Sequence, residues 1–203
     1  MKIVLIDHQD SFTFNLVHEL GRRVGRRPMV VPAGRAASVR VEQHDLVVLG
    51  PGPGHPQVPA DQAQTPRALQ RCLDHQIPVF GVCLGLQLIV THFGGKVIEA
   101  PQIAHGLQLP VSHRGDGLFR GLQQPTVMMR YHSLVADSQQ LPACLQMTAW
   151  TESGELMALK HRQLPVTAVQ FHPESVGSPE GGKLLQNLLE KTLGGRSRER
   201  KRS

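Results

Sequence analysis

Aromatic residues are scarce in this 203-residue chain, at 4%: six Phe, one Tyr and one Trp. Without basic residues interleaved among rings there is no stacking platform for single-stranded nucleic acid, so no nucleic-acid partner is expected. The formal net charge of +6 does not reverse this, because much of it sits in Arg196-Ser197-Arg198-Glu199-Arg200-Lys201-Arg202, a run that reads as a solvated basic tail. Cysteine is scarce too. Cys72, Cys83 and Cys144 are odd in number and form no C-x-x-C pair, which argues against a disulfide framework and for a reducing cytoplasm. No apolar run is long enough to span a membrane, and the run after Met1 is too short for a signal peptide. The eleven histidines include no H-E-x-x-H and no clustered Cys/His ligands, so no metal is expected. Internal repeats and linkers are also missing. One domain over 1–193 is expected, followed by a basic, disordered tail over 194–203.

What is present centres on residues 77–95. Pro78-Val79-Phe80-Gly81-Val82 reads as a short buried strand, and 86–93 as a helix closed by Gly94-Gly95. Between them lies Gly81-Val82-Cys83-Leu84-Gly85, a G-x-C-x-G turn that is the thiol counterpart of the G-x-S-x-G nucleophile elbow. Glycines on both sides permit a sharp turn and close approach of neighbouring chain. The turn carries Cys83 to the carboxyl end of its strand, at a helix N-terminus whose dipole favours an anionic sulfur. The Leu84 N–H, first in the helix, is free to meet a developing oxyanion. A buried structural cysteine is the competing explanation of the elbow alone.

The surrounding pattern is α/β. Residues 2–7, 29–31 and 45–49 read as strands, with a helix after the cap Asp10-Ser11, a turn over 21–27, and a second helix over about 60–75. Strands alternating with helices on short connections imply an open, mostly parallel sheet flanked by helices, with ligands beyond the strands' carboxyl ends. After Gly95 the strands are short and turn-rich (96–98, 107–111, 126–129, 145–150, 156–160 and 167–171), so the sheet is expected to become mixed. A final helix over 181–192 carries Leu184, Leu185, Leu188 and Leu189 on one face.

Three further stretches could carry chemistry. Gly50-Pro51-Gly52-Pro53-Gly54 lacks a P-loop ending, and its prolines remove donors that a phosphate cradle needs. It offers instead a rigid backbone, with the N–H of Gly52 or Gly54 as a second oxyanion donor opposite Leu84. In Phe171-His172-Pro173-Glu174 the proline holds His172 extended, so the side chains of His172 and Glu174 can face one pocket. A cysteine, a histidine base and an orienting carboxylate make a triad recognised by roles rather than by order. In Arg130-Tyr131-His132-Ser133-Leu134, Ser133 could hold a substrate amide or carboxylate. The amide of Gln87, one turn into the elbow helix, could bind a polar substrate.

These motifs stand in a fixed order: Asp10-Ser11-Phe12-Thr13, Pro51-Gly52-Pro53-Gly54, Gly81-Val82-Cys83-Leu84-Gly85, Arg130-Tyr131-His132-Ser133-Leu134 and Gln170-Phe171-His172-Pro173-Glu174-Ser175. Taken together, over roughly residues 2–193, the chain resembles the class I glutamine amidotransferases, and within them the small subunits of anthranilate synthase and aminodeoxychorismate synthase. The resemblance implies a cytoplasmic glutaminase of tryptophan or folate biosynthesis. Cys83 would attack the glutamine amide, His172 act as base and acid, and Glu174 orient it. Gly52, Pro53, Gly54, Leu84, Gln87, Ser133 and Leu134 match the family's glutamine- and oxyanion-binding positions. Ammonia would pass to a chorismate-utilising large subunit, component I of either synthase. No cofactor is implied in this chain, although the large subunits use magnesium. Three departures from the family pattern, at His8-Gln9, Leu86 and Leu107, fall where partner contact is expected. The alternative is a stand-alone cysteine hydrolase of the same fold, such as a gamma-glutamyl hydrolase or peptidase.

Overall fold

The computed structural model describes residues 1–199. The chain begins with β1 (Ile3–Asp7), α1 (Thr13–Val24) and β2 (Met29–Pro32), and two short 3-10 turns lead into β3 (Leu46–Leu49). Then come α2 (Pro59–Gln62), α3 (Thr65–Asp74), β4 (Val79–Val82) and α4 (Leu84–His92). The second half contributes β5 (Val97–Glu99), β6 (Leu107–His113), β7 (Thr126–Arg130), β8 (Leu134–Ala136), β9 (Leu145–Trp150), β10 (Leu156–His161) and β11 (Val166–Val169). The last element is α5 (Gly181–Glu199). It enters the stretch expected as tail; the remainder of that tail lies outside the described residues.

Nine strands form one sheet in the order β2-β1-β3-β4-β11-β10-β9-β6-β7, and β5 pairs with β8 in a separate ribbon. The pairs from β2 to β11 are parallel, and those from β11 to β7 are antiparallel. The sheet is therefore mixed, with its parallel part toward the N-terminal edge. Alternate residues of the parallel strands face opposite layers, as the two-residue repeat of a strand requires. Ile3, Leu5, Leu46, Val48, Phe80 and Val82 join Leu16, Leu20, Leu184 and Leu188 of α1 and α5. Val4, Ile6, Val47, Leu49 and Val79 join Ala68, Leu69, Ile89 and Val90 of α3 and α4.

Several boundaries differ from expectation for local reasons. The helix expected over 60–75 is broken in two: Ala63 turns to φ 51° and a new helix starts at Thr65. Pro66, in the first turn of α3, has no N–H and its ring excludes the carbonyl a continuous helix would place four residues earlier. Gly21 does not turn the chain; α1 runs through it to Val24 and closes on Gly25, at φ 67°. The elbow helix starts at Leu84 rather than 86 and is buried on every side through Val90, so it shows no polar face to mark its start. The strand β8 went unrecognised because it is three residues long and follows directly on a polar run.

Candidate active site

The elbow forms because two glycines remove the atoms that would obstruct it. A Cβ on Gly85 would collide with the backbone oxygen of Leu49, and one on Gly81 would lie 2.7 Å from the Gly85 backbone. With both absent, α4 packs directly on β3 and β4, and Cys83 is held at φ 53°, ψ −105°. A non-glycine residue in that region stores strain, as is common where a side chain must be presented. Its N–H bonds to the Val169 carbonyl at 2.9 Å, which ties the elbow to the neighbouring strand β11.

That tie brings the remaining groups in. β11 runs parallel to β4 with Val169 opposite Val82, so the chain leaving β11 passes the elbow as Gln170-Phe171-His172. The His172 N–H bonds to the Met129 carbonyl at 2.9 Å, and its carbonyl accepts from the Ser178 hydroxyl at 2.6 Å. Nδ1 of His172 is 2.7 Å from Oε1 of Glu174, and both side chains are buried. This leaves Nε2 for the sulfur. Burial disfavours an imidazolium here, but hydrogen bonding to Cys83 and Glu174 and the negative charges they carry outweigh it. The pKa of His172 is pushed up to about 10. Phe12 and Tyr131 stand against the imidazole, with ring centroids 5.1 and 5.3 Å away, and restrict its rotation.

The other expected residues surround this centre unevenly. The Leu84 N–H has no acceptor in its helix, and neither it nor the N–H groups of Gly52 and Gly54 find one among the described residues. Gly52 lies against the backbone and Cβ of His8, while Pro53 and Gly54 are exposed at the loop tip. Gln87 is not free in the way its position suggested: its amide nitrogen donates to the Leu134 carbonyl at 2.9 Å and to Oε1 of Gln170 at 3.2 Å. Ser133 is exposed and its carbonyl accepts from Ala100 at 2.8 Å. Of the three departures, Leu86 is a fully buried core residue and makes no surface. His8 is buried with Nε2 at 2.9 Å from the Thr65 hydroxyl, and only Gln9 and Leu107 are exposed.

Two groups were missed by reading the sequence. Gln170 is fully buried, and its amide nitrogen lies 3.6 Å from the Cys83 sulfur; its place directly before Phe171-His172 was the available signal. The second is a buried chain behind the 130–134 run. Glu155 Oε2 pairs with Arg130 at 3.1 Å, and Nε of Arg130 donates to Nε2 of His132 at 3.1 Å. Burial first, then the charges of Arg130 and His172, push the His132 pKa down to about 3. His132 is therefore neutral, and it accepts from Arg130. Nothing in the spacing links Glu155 to Arg130.

The described residues contain no cluster of His, Cys, Asp or Glu suited to a metal ion and no helix long and apolar enough to cross a membrane. All three cysteines are free.

The chain is similar to known proteins over nearly its whole length. Residues 4–192 match the family described as glutamine amidotransferase class-I. The chain is 46% identical to an aminodeoxychorismate synthase of Streptomyces griseus over 95% of its length, and spans about a quarter, 26%, of that relative. It is 42% identical to aminodeoxychorismate synthase component 2 of Escherichia coli, covering 92% of this chain and 98% of that one. It is 40% identical to the aminodeoxychorismate/anthranilate synthase component 2 of Bacillus subtilis, over 93% and 95%. Among solved structures, a glutamine amidotransferase from Thermotoga maritima superposes with a TM-score of 0.81 at 17% identity, covering 95% and 97% of the two chains; that likeness speaks to the fold alone.

Proposed function

The chain belongs to the class I glutamine amidotransferases, and we propose that it is the glutaminase subunit of a chorismate-aminating synthase, working with a component I large subunit. The observation that carries the reading is His172 set between Cys83 and Glu174, with its Nδ1 2.7 Å from the carboxylate. Cys83 gives its proton to His172, and the sulfur attacks the side-chain amide carbon of glutamine. The oxyanion forms facing the Leu84 N–H and a glycine N–H of the 52–54 loop. The intermediate collapses as His172 passes the proton to the leaving nitrogen, releasing ammonia and a glutamyl thioester. Water, deprotonated by the now neutral His172, hydrolyses the thioester to glutamate and restores the thiol. Glu174 keeps the imidazole in the required tautomer throughout. Ser133 and Leu134 follow Tyr131, whose ring stands against His172, and would hold the α-amino and α-carboxylate end of glutamine.

The partner assignment is supported by relatives named component 2 and by the surface beside the site. A groove of about 570 Å³ runs from Phe12 and Tyr131 past Glu174 to Val176. Val176 is fully exposed and Phe14 is 58% exposed, with Arg22 and His18 between them. Apolar groups so placed beside a buried triad suit a docked subunit that receives ammonia without loss to water. Both acceptor pathways, to anthranilate and to aminodeoxychorismate, fit this half of the reaction. Location in the cytoplasm fits three free thiols.

Glutamate release from glutamine tests the proposal, measured for the chain alone and with each component I plus chorismate. Stimulation by one component I, lost in Cys83→Ala while ammonia-dependent amination by the complex persists, is the expected result. Glutamine use that survives Cys83→Ala would sink it.

A further inference from the structure

The Cys83 sulfur is approached from a second side by a hydrogen-bond chain that starts at a backbone carbonyl. The Leu134 carbonyl accepts from Nε2 of Gln87 at 2.9 Å. A carbonyl oxygen can only accept, so it decides which end of the Gln87 amide faces inward. The same Nε2 donates to Oε1 of Gln170 at 3.2 Å, which turns the Gln170 oxygen toward Gln87 and its nitrogen toward the elbow. Gln170 Nε2 donates in turn to Sγ of Cys83 at 3.6 Å. Both glutamines are buried, so a flipped amide would oppose donor to donor or acceptor to acceptor without water to relieve it. Backbone register places the last link: Gln170 follows Val169 of β11, whose partner Val82 precedes Cys83, and the Gln170 N–H is anchored on the Met157 carbonyl at 2.8 Å.

We propose that Gln170 is a positioning residue for the nucleophile, locked in one orientation by Leu134 through Gln87 so that it presents an N–H to the Cys83 sulfur. This rests on the reading of Cys83 as the nucleophile. His172 takes the thiol proton on one side, and on the other the Gln170 amide fixes the sulfur's direction and stabilises the charge left behind. Such a bond is roughly twice as strong to an anion as to a neutral acceptor, so the amide favours the attacking thiolate over the neutral thiol. Because Leu134 belongs to the expected glutamine-binding run, the lock also ties the sulfur's environment to the conformation of that run.

Alkylation of Cys83 by iodoacetamide across a pH range, in the full chain and read by peptide mass mapping, tests this. Cys144 is the internal reference, and Cys72, buried with its thiol pushed up to about 12, is expected to remain unmodified. Gln170→Met keeps the volume and removes the donor; Gln87→Met leaves Gln170 in place and removes the lock. In Gln170→Met, Cys83 alkylation at neutral pH is expected to fall about tenfold and its pH profile to move up by about one unit. Gln87→Met should move it the same way by less, with Cys144 unaffected in both. An unchanged profile in folded Gln170→Met overturns the proposal. If that variant does not fold, Gln87→Met decides, and an unchanged profile there overturns it. The readout involves no glutamine, so it is separate from the glutaminase reading, which stands or falls on glutamate release in Cys83→Ala.

Discussion

From β2 to β11 the buried strand residues are almost all apolar, and helices cover both faces. From β10 to β7 the interior takes in Arg130, Glu155, His132, Thr148, Thr151 and His113 as well. The first region is held by close backbone approach and apolar burial, the second in part by buried charge. The site lies where they meet. β4 and β11 lead into Cys83 and His172, and the 130–134 run brings Tyr131 against His172 and the Leu134 carbonyl to Gln87 from the antiparallel side. Parallel strands ending together supply rigid placement for groups that react. The antiparallel region supplies a polar run whose shape depends on what is buried behind it.

The largest loss of stability is expected in the parallel part. Gly85→Ala places a methyl group against the Leu49 backbone oxygen, where no side-chain rotation can relieve it. The elbow would have to separate from β3, costing more than about 5 kcal/mol, in the exceptional range for one substitution. Soluble yield and thermal unfolding check this against Gly34→Ala, which meets nothing within 4 Å and is expected to be near neutral. A Gly85→Ala chain as stable as the parent would show that backbone contact is not what holds this region.

The antiparallel region should fail differently. Arg130→Met leaves Glu155 buried without its cation, a loss of about 3–5 kcal/mol. Arg130→Met combined with Glu155→Leu removes both charges and should recover much of that loss, because desolvation of the pair was itself costly. Denaturant midpoints of the two single variants and the double variant form the cycle. Additive losses would mean the pair contributes no coupling. Recovery of stability should not bring recovery of glutamine use, since His132 then lacks its donor and the run it belongs to is no longer held.

What was legible in the sequence follows the same division. The elbow could be read because its requirement is local: a strand, two glycines, a cysteine and a helix within one short stretch. His172 and Glu174 could be read because a proline fixes their relation. The parallel strands were legible as apolar runs bounded by turn residues. Glu155 and Arg130 were not, because a buried ion pair between distant positions leaves no periodicity, and each residue alone resembles a surface charge. The direction of Gln87 was legible from its helical position but its partner was not, because the carbonyl it meets belongs to a strand 47 residues away. Leu86 was placed at a contact surface by family pattern and lies in the core, because α4 is enclosed on all sides and has no surface at that turn.

The smallest effect compares one buried neutral histidine from each region. His8 follows β1 and His132 follows β7. Burial holds the pKa of His8 down to about 4, and burial with the Arg130 charge holds that of His132 down to about 3, both from an ordinary 6.5. The unfolded chain therefore binds protons near pH 6.5 that the folded chain refuses. Their stabilising contribution is complete above 6.5, declines as pH falls, and is exhausted near pH 4 for His8 and near pH 3 for His132. His172 runs oppositely: raised to about 10, it contributes fully below 6.5 and loses its contribution only as pH rises through 10, so it leaves the acid limb unchanged. Thermal unfolding of His8→Gln and His132→Gln between pH 3 and 7 should give flatter acid limbs than the parent, with His132→Gln differing at the lower pH. If the two variants keep the parent's slope, carboxylates alone govern acid unfolding, and the buried histidines of the two regions are energetically idle.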